Sequence, residues 1–187
     1  MEELSNDLFF SVYKYLGFGI VFASVFLLAW PRIKELGAKG AIQLLWHEVK
    51  NEKHNRYVFL FAVVFFMILS RTLICRDIWK VPWENPIGEF DVFTKDGKWN
   101  VEGFENIILF IPLSFLFFCM TNAGSKKRIL ADAAKYSFLF SCFIEVCQLF
   151  GRLGTFQLSD ILQNTLGGLI GGLIYWICYT IKHRKKL

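Results

Sequence analysis

The stretch YVFLFAVVFFMILSRTLIC, residues 57–75, decides the fold class. It is apolar without interruption up to Ser70, and Arg71 stands near its far end. A soluble domain disperses its hydrophobic residues along short periodic elements, whereas an unbroken run of this length points to lipid as the solvent. Four further runs, 8–30, 103–121, 129–150 and 158–181, have the same character. Composition agrees: of 187 residues 55% are hydrophobic and only 20% charged, with 21 Phe and 6 Trp. The expected fold is all-α, one integral membrane bundle over 1–187 of about five transmembrane helices, with an interfacial helix and one long outer loop. No internal repeat and no separate soluble domain is visible.

The first run is read as a retained span rather than a secretory signal. Glu2, Glu3 and Asp7 precede it where a signal peptide would be basic, and no small-residue cleavage site follows Trp30. Lys14 can snorkel to the headgroups, and Pro31 is expected to end the helix. In the polar, basic stretch 32–56, Ile42, Leu45, Trp46 and Val49 form one helical face, opposite Gln43, His47 and Lys50. That pattern fits a short interfacial helix or an ordinary amphipathic connector. The segment 76–105 holds Trp79, Trp83, Trp99, Pro82 and Pro86, a content suited to packing at the interface. Pro112 lies inside the third span, as membrane helices tolerate.

Net charge is +5, and its placement excludes a nucleic-acid partner in favour of membrane lipids and their anionic headgroups. Lys and Arg number 6 in residues 31–56, 3 in 122–129 and 4 in the tail after 181, against none in 1–7, 5 in 71–105 and Arg152 alone in the last turn. The positive-inside rule then predicts a multi-pass protein of the cell membrane with its amino terminus outside and its carboxyl terminus in the cytoplasm. The segment 76–105 and the turn 151–159 face outward. The five cysteines (Cys75, Cys119, Cys142, Cys147 and Cys178) show no CxxC spacing and read as small membrane-embedded hydrophobes. No metal site, cofactor motif or nucleophile–His pairing is expected. Oligomeric state is not legible.

Ionisable groups inside a span cost at least a few kcal/mol and default to a pairing or functional role. On the fourth span Glu145, Gln148 and Arg152 are spaced i, i+3, i+7 along one face; on the fifth, Asp160 and Asn164 are spaced i, i+4, with Ser159 as a possible cap. Arg71 ends the second span, and Glu105 and Asn106 begin the third. All eight fall at one depth on the outer side. In the cytoplasmic halves the chief polar pair is Asp132 and Lys135, spaced to satisfy each other. Gly167, Gly168, Gly171 and Gly172 form two overlapping GxxxG patterns for close helix packing. The cluster admits three readings. It is a structural network tying helix ends together, a site for a polar or charged headgroup, or a catalytic centre with Glu145 and Asp160 as acid and base.

The blocks ENIILFIPLSF (105–115) and IEVCQLFGRLGTFQLSDILQNTLGGLIG (144–171) resemble the VanZ-like family of bacterial membrane proteins. The E-x-x-Q, R, D-x-x-x-N-x-x-G-G combination carries the resemblance, which covers about 57–181. The family's characteristic residues fall on Glu105, Asn106, Pro112, Glu145, Gln148, Arg152, Asp160, Asn164 and Gly168, while VPWENPIGEF (81–90) departs from the family's pattern. The family is named for a protein associated with low-level teicoplanin resistance. The resemblance thus implies a role at the cell envelope, with a cell-wall precursor lipid or a glycopeptide among the candidate partners. The first functional expectation is a non-enzymatic protein binding an envelope lipid or amphiphile, with Arg71 and Arg152 as anion contacts. The alternative is an intramembrane enzyme modifying a lipid-linked substrate.

Overall fold

The computed structural model describes residues 2–28, 31–76, 78, 81–90, 100–121 and 125–184. Trp79, Trp99 and the tail lysines Lys185 and Lys186 lie outside them. Among the described residues all regular structure is helical: α1 (Glu2–Leu28), α2 (Pro31–Asn51), α3 (Lys53–Leu69, extended by a π turn over Ser70–Ile74), α4 (Val101–Thr121), α5 (Lys126–Gly151) and α6 (Leu158–Arg184).

Three of these helices, taken over Lys53–Ile74, Val101–Thr121 and Leu158–His183, are long and apolar enough to cross a membrane. The other two expected spans differ for separate reasons. In α1 the apolar stretch is shorter, Tyr13–Phe26. The 26 residues of α5 would reach about 39 Å at ~1.5 Å per residue, but Lys126, Lys127, Arg128, Asp132, Lys135 and Glu145 dilute its hydropathy.

Proline and glycine punctuate the chain differently from the sequence expectation. Pro31 begins α2 rather than merely ending α1, because its missing N–H is no loss in a first turn. Within 32–56, the residues Ile42, Leu45, Trp46 and Val49 do lie on a helix, the part of α2 after Gly37. α2 is broken at Gly37, whose φ of 67° is left-handed and open to glycine, and α3 starts at Lys53. Ile42 and Trp46 of the predicted apolar face are exposed. Pro112 sits inside α4 as expected.

At the centre, α6 packs most extensively on α4 and α5, α4 also packs on α3, and α1 lies against α3. The buried core is mostly aliphatic, with aromatic rings packed among it. Phe65 stacks on Phe140 (5.1 Å between ring centres), and Phe110 and Phe118 are fully buried between helices. α1 leaves Phe9, Tyr13, Val25 and Phe26 exposed, a lipid-type surface.

The loops at one end fix the mouth of the bundle. Arg152 takes a left-handed conformation (φ 53°) that stops α5, and Leu153 N–H returns to the Gln148 carbonyl at 2.9 Å. The described loop 81–90 then lies along the start of α6. Pro86 and Ile87 carbonyls accept the Leu158 and Ser159 N–H groups at 3.0 and 3.1 Å, satisfying donors that a helix start leaves free. Gly88 permits this approach, since a Cβ there would fall 1.8 Å from Ser159 Oγ. Ser159 is therefore inside the first turn of α6, not its cap. Trp83 rests on Phe156 with ring centres 5.3 Å apart.

Candidate functional site

The polar residues singled out from sequence collect at the end where α3 stops, α4 and α6 start and α5 stops. Asn100 caps α4 by accepting the Gly103 N–H at 3.2 Å, which places Glu102, Glu105 and Asn106 in its first turns. The π turn carries Arg71. Its Nη2 pairs with Glu105 Oε2, and its Nη1 donates to Asn106 Oδ1 at 3.3 Å. Asn106 Nδ2 donates to Gln163 Oε1 at 3.2 Å, and Gln163 Nε2 donates to the Glu89 carbonyl at 3.1 Å. One chain of bonds thus joins α3, α4, α6 and the 81–90 loop.

A second set ties α5 into the same end. Gln148 Nε2 donates to the Thr72 carbonyl at 3.0 Å, one of the acceptors a helix end leaves without a partner. Glu145 Oε2 accepts the Gln157 N–H at 2.8 Å and so holds the 151–157 turn. Asn164 Nδ2 donates to Ser141 Oγ at 2.8 Å. Glu145 and Gln148 are both 1% exposed, so these contacts are made away from solvent. The Gln148 Oε1 has no hydrogen-bond partner among the described residues.

The eight expected site residues therefore sort by geometry. Arg71, Glu105, Asn106, Gln148 and Asn164 bond helix to helix or to a helix end, and Glu145 holds a turn. Asp160, nearly buried, lines a polar pocket of about 210 Å³ with Glu89, Glu102, Gln157 and Gln163. Arg152 does not join its i−4 and i−7 neighbours: the helix ends under it and its side chain is exposed.

The four packing glycines split between two neighbours. A Cβ on Gly167 or Gly171 would fall 2.3 Å from the Ile107 or Ile111 carbonyl of α4. On Gly168 it would fall 1.8 Å from Ser137 Oγ, and on Gly172 2.8 Å from Ala133 Cβ, both on α5. Away from the site, Lys135 lies over the Tyr136 ring (5.5 Å to its centre) and makes no ion pair with Asp132 among the described residues.

Sequence reasoning missed Arg76, Glu102, Gln157 and Gln163. Arg76 Nη2 pairs with Glu102 Oε1 at 3.2 Å beside the pocket. Gln163 had a readable signal, since it follows Asp160 by three on one face of α6. Gln157 had none, because its bond to Glu145 is made by the main chain.

The VanZ/LLP1 family matches residues 21–179, from within α1 almost to the end of α6. Protein VanZ of Enterococcus faecium is 27% identical over 95 residues, covering 51% of this chain and 56% of that protein. The chain thus aligns with little more than half of that relative's length. No solved structure matches the chain.

Proposed function

We propose, from the premise that the chain belongs to the VanZ/LLP1 family, that it binds an envelope lipid or amphiphile at the pocket lined by Asp160 and contributes to resistance to teicoplanin-type glycopeptides. The supporting observation is one polar pocket at one end of an apolar bundle, lined by the start of α4, the start of α6 and the 81–90 loop, with α3 and α5 tied to the same end by hydrogen bonds. The hydrogen-bond chains hold that end rigid, and preorganised polar groups lose less on binding than mobile ones. Arg71 is engaged by Glu105 and Asn106 and does not line the pocket, whose charged groups are Glu89, Glu102 and Asp160. The pocket faces outward in this reading.

The test is glycopeptide susceptibility of cells expressing the protein. Asp160→Asn and Gln163→Ala should abolish the protection conferred by the wild type while membrane protein levels stay unchanged. Loss of protein level in both would leave the cluster a structural network only. No protection from the wild type would end the resistance role.

A second reading, an intramembrane enzyme acting on a lipid-linked substrate, draws on Glu145 holding the main chain of Gln157, which lines the pocket with Asp160. Product formation by purified protein, lost in Glu145→Gln, would replace the binding reading.

A further inference from the structure

The polar pocket has an apolar neighbour. Asn100, Gly103 and Gln163 line it and also line a groove of about 260 Å³ walled by Phe104, Ile107, Leu162 and Leu166. The two cavities share a thin wall. At Gly103 a Cβ would fall 2.8 Å from Gln163 Nε2, so even a methyl group would press into it. Leu162 and Leu166 are exposed one turn apart on α6, a helix apolar enough to span a membrane. Exposed leucines on such a helix are solvated by hydrocarbon. The arrangement is a polar chamber beside a hydrocarbon-facing groove between α4 and α6.

The chamber's lining selects among headgroups. Glu89, Glu102 and Asp160 supply carboxylates, the remaining polar side chains are amides, and no Lys or Arg lines it among the described residues. The nearest guanidinium groups, Arg76 and Arg71, are held by Glu102 and Glu105. A phosphate carries only acceptors and negative charge and would meet three carboxylates. Sugar hydroxyls donate to carboxylates and both donate to and accept from amides. At about 30 Å³ per water, 210 Å³ takes about seven water-sized groups, the scale of one sugar ring.

Resting on the binding reading above, we propose that the ligand is a glycolipid, its uncharged sugar headgroup in the chamber and its hydrocarbon chain in the α4–α6 groove, entering sideways from the bilayer. The groove commits the ligand to a membrane lipid, and the carboxylate and amide lining fits a headgroup that donates several hydrogen bonds.

The test uses the full-length protein in nanodiscs containing equal parts of a glucosyl diacylglycerol, phosphatidylglycerol and a trimethylammonium lipid. Native mass spectrometry reads the lipid retained. Glucosyl lipid should be enriched about tenfold over phosphatidylglycerol, a margin one or two unmatched polar groups can supply. Both Asp160→Asn, in the chamber, and Leu162→Trp, which fills the groove, should abolish the enrichment. Leu162 is exposed, so the larger ring does not enter the core, and Leu166→Trp serves if the first variant fails to fold. Retention of either charged lipid in an Asp160-dependent manner would overturn the sugar assignment and leave the binding reading standing. Glucosyl enrichment unaffected by either tryptophan would overturn the groove. No Asp160-dependent retention of any of the three lipids would remove this proposal, while the binding reading stands or falls with the susceptibility test.

Discussion

Arg71 shows how a charge is kept inside an apolar bundle: its side chain is 11% exposed and that of its partner Glu105 is 9% exposed. Burying either ion alone is expensive, so the pair is worth less than the damage done by breaking it. Glu105→Ala should therefore destabilise the protein by about 3–5 kcal/mol, because it leaves a buried guanidinium with Asn106 Oδ1 but without its counter-charge. The double change Arg71→Met with Glu105→Leu should cost less than Glu105→Ala alone. Thermal unfolding in detergent measures both, and a double variant weaker than the single one would contradict this account. The pair also marks how far residue-level reading reaches. An ionisable residue inside an apolar run is visible at once, and Glu105, Glu145 and Asp160 were all found that way. Partner choice is not visible, because sequence fixes depth along a helix but not how neighbouring helices are rotated. Arg152 illustrates a different loss. Its spacing from Glu145 and Gln148 implied a shared face, but that inference holds only while the helix continues, and α5 ends there.

At the scale of elements, α6 is the hub, and its glycines let two helices approach on different faces. Successive residues on a helix point about 100° apart, so Gly167 and Gly171 face α4 while Gly168 and Gly172 face α5. The doubled GxxxG pattern was legible as a packing surface, but its division between two partners required the helices to be placed. The obstacles differ in kind, and this separates the outcomes of substitution. Gly171→Ala meets the Ile111 main-chain carbonyl, so α4 itself must move, at about 1–3 kcal/mol. Gly168→Ala meets the Ser137 side chain, which can be removed. Adding Ser137→Gly should restore much of the stability of Gly168→Ala, whereas no side-chain truncation on α4 should restore Gly171→Ala. Unfolding temperatures of the single and paired variants decide it. Equal rescue at both positions would mean the helices are not held as closely as the glycines imply.

For the whole molecule, helix extents were readable to within a few residues for α4, α5 and α6, because long apolar runs leave little choice of secondary structure. The path of the chain between helices was not, since it depends on carbonyls of 81–90 reaching the start of α6. How many helices cross the bilayer is a question about α1 and α5. Hydropathy sets three apart, yet α5 carries Glu145 inward, where protein rather than lipid surrounds it. A helix of about 39 Å outreaches a hydrocarbon core of about 30 Å, so α5 can cross with its basic start in the headgroups. We therefore expect α5 to cross together with α3, α4 and α6, with the pocket outside. Single cysteines placed at Asn85, Arg152, Ser125 and His183 in a cysteine-free chain test this, all four positions being exposed. A membrane-impermeant maleimide added to intact cells should label positions 85 and 152, and positions 125 and 183 only after permeabilisation. Labelling of 125 and 152 from one side would show that α5 does not cross. Labelling of 125 and 183 alone from outside would turn the pocket toward the cytoplasm, where no ligand in the outer leaflet could reach Asp160.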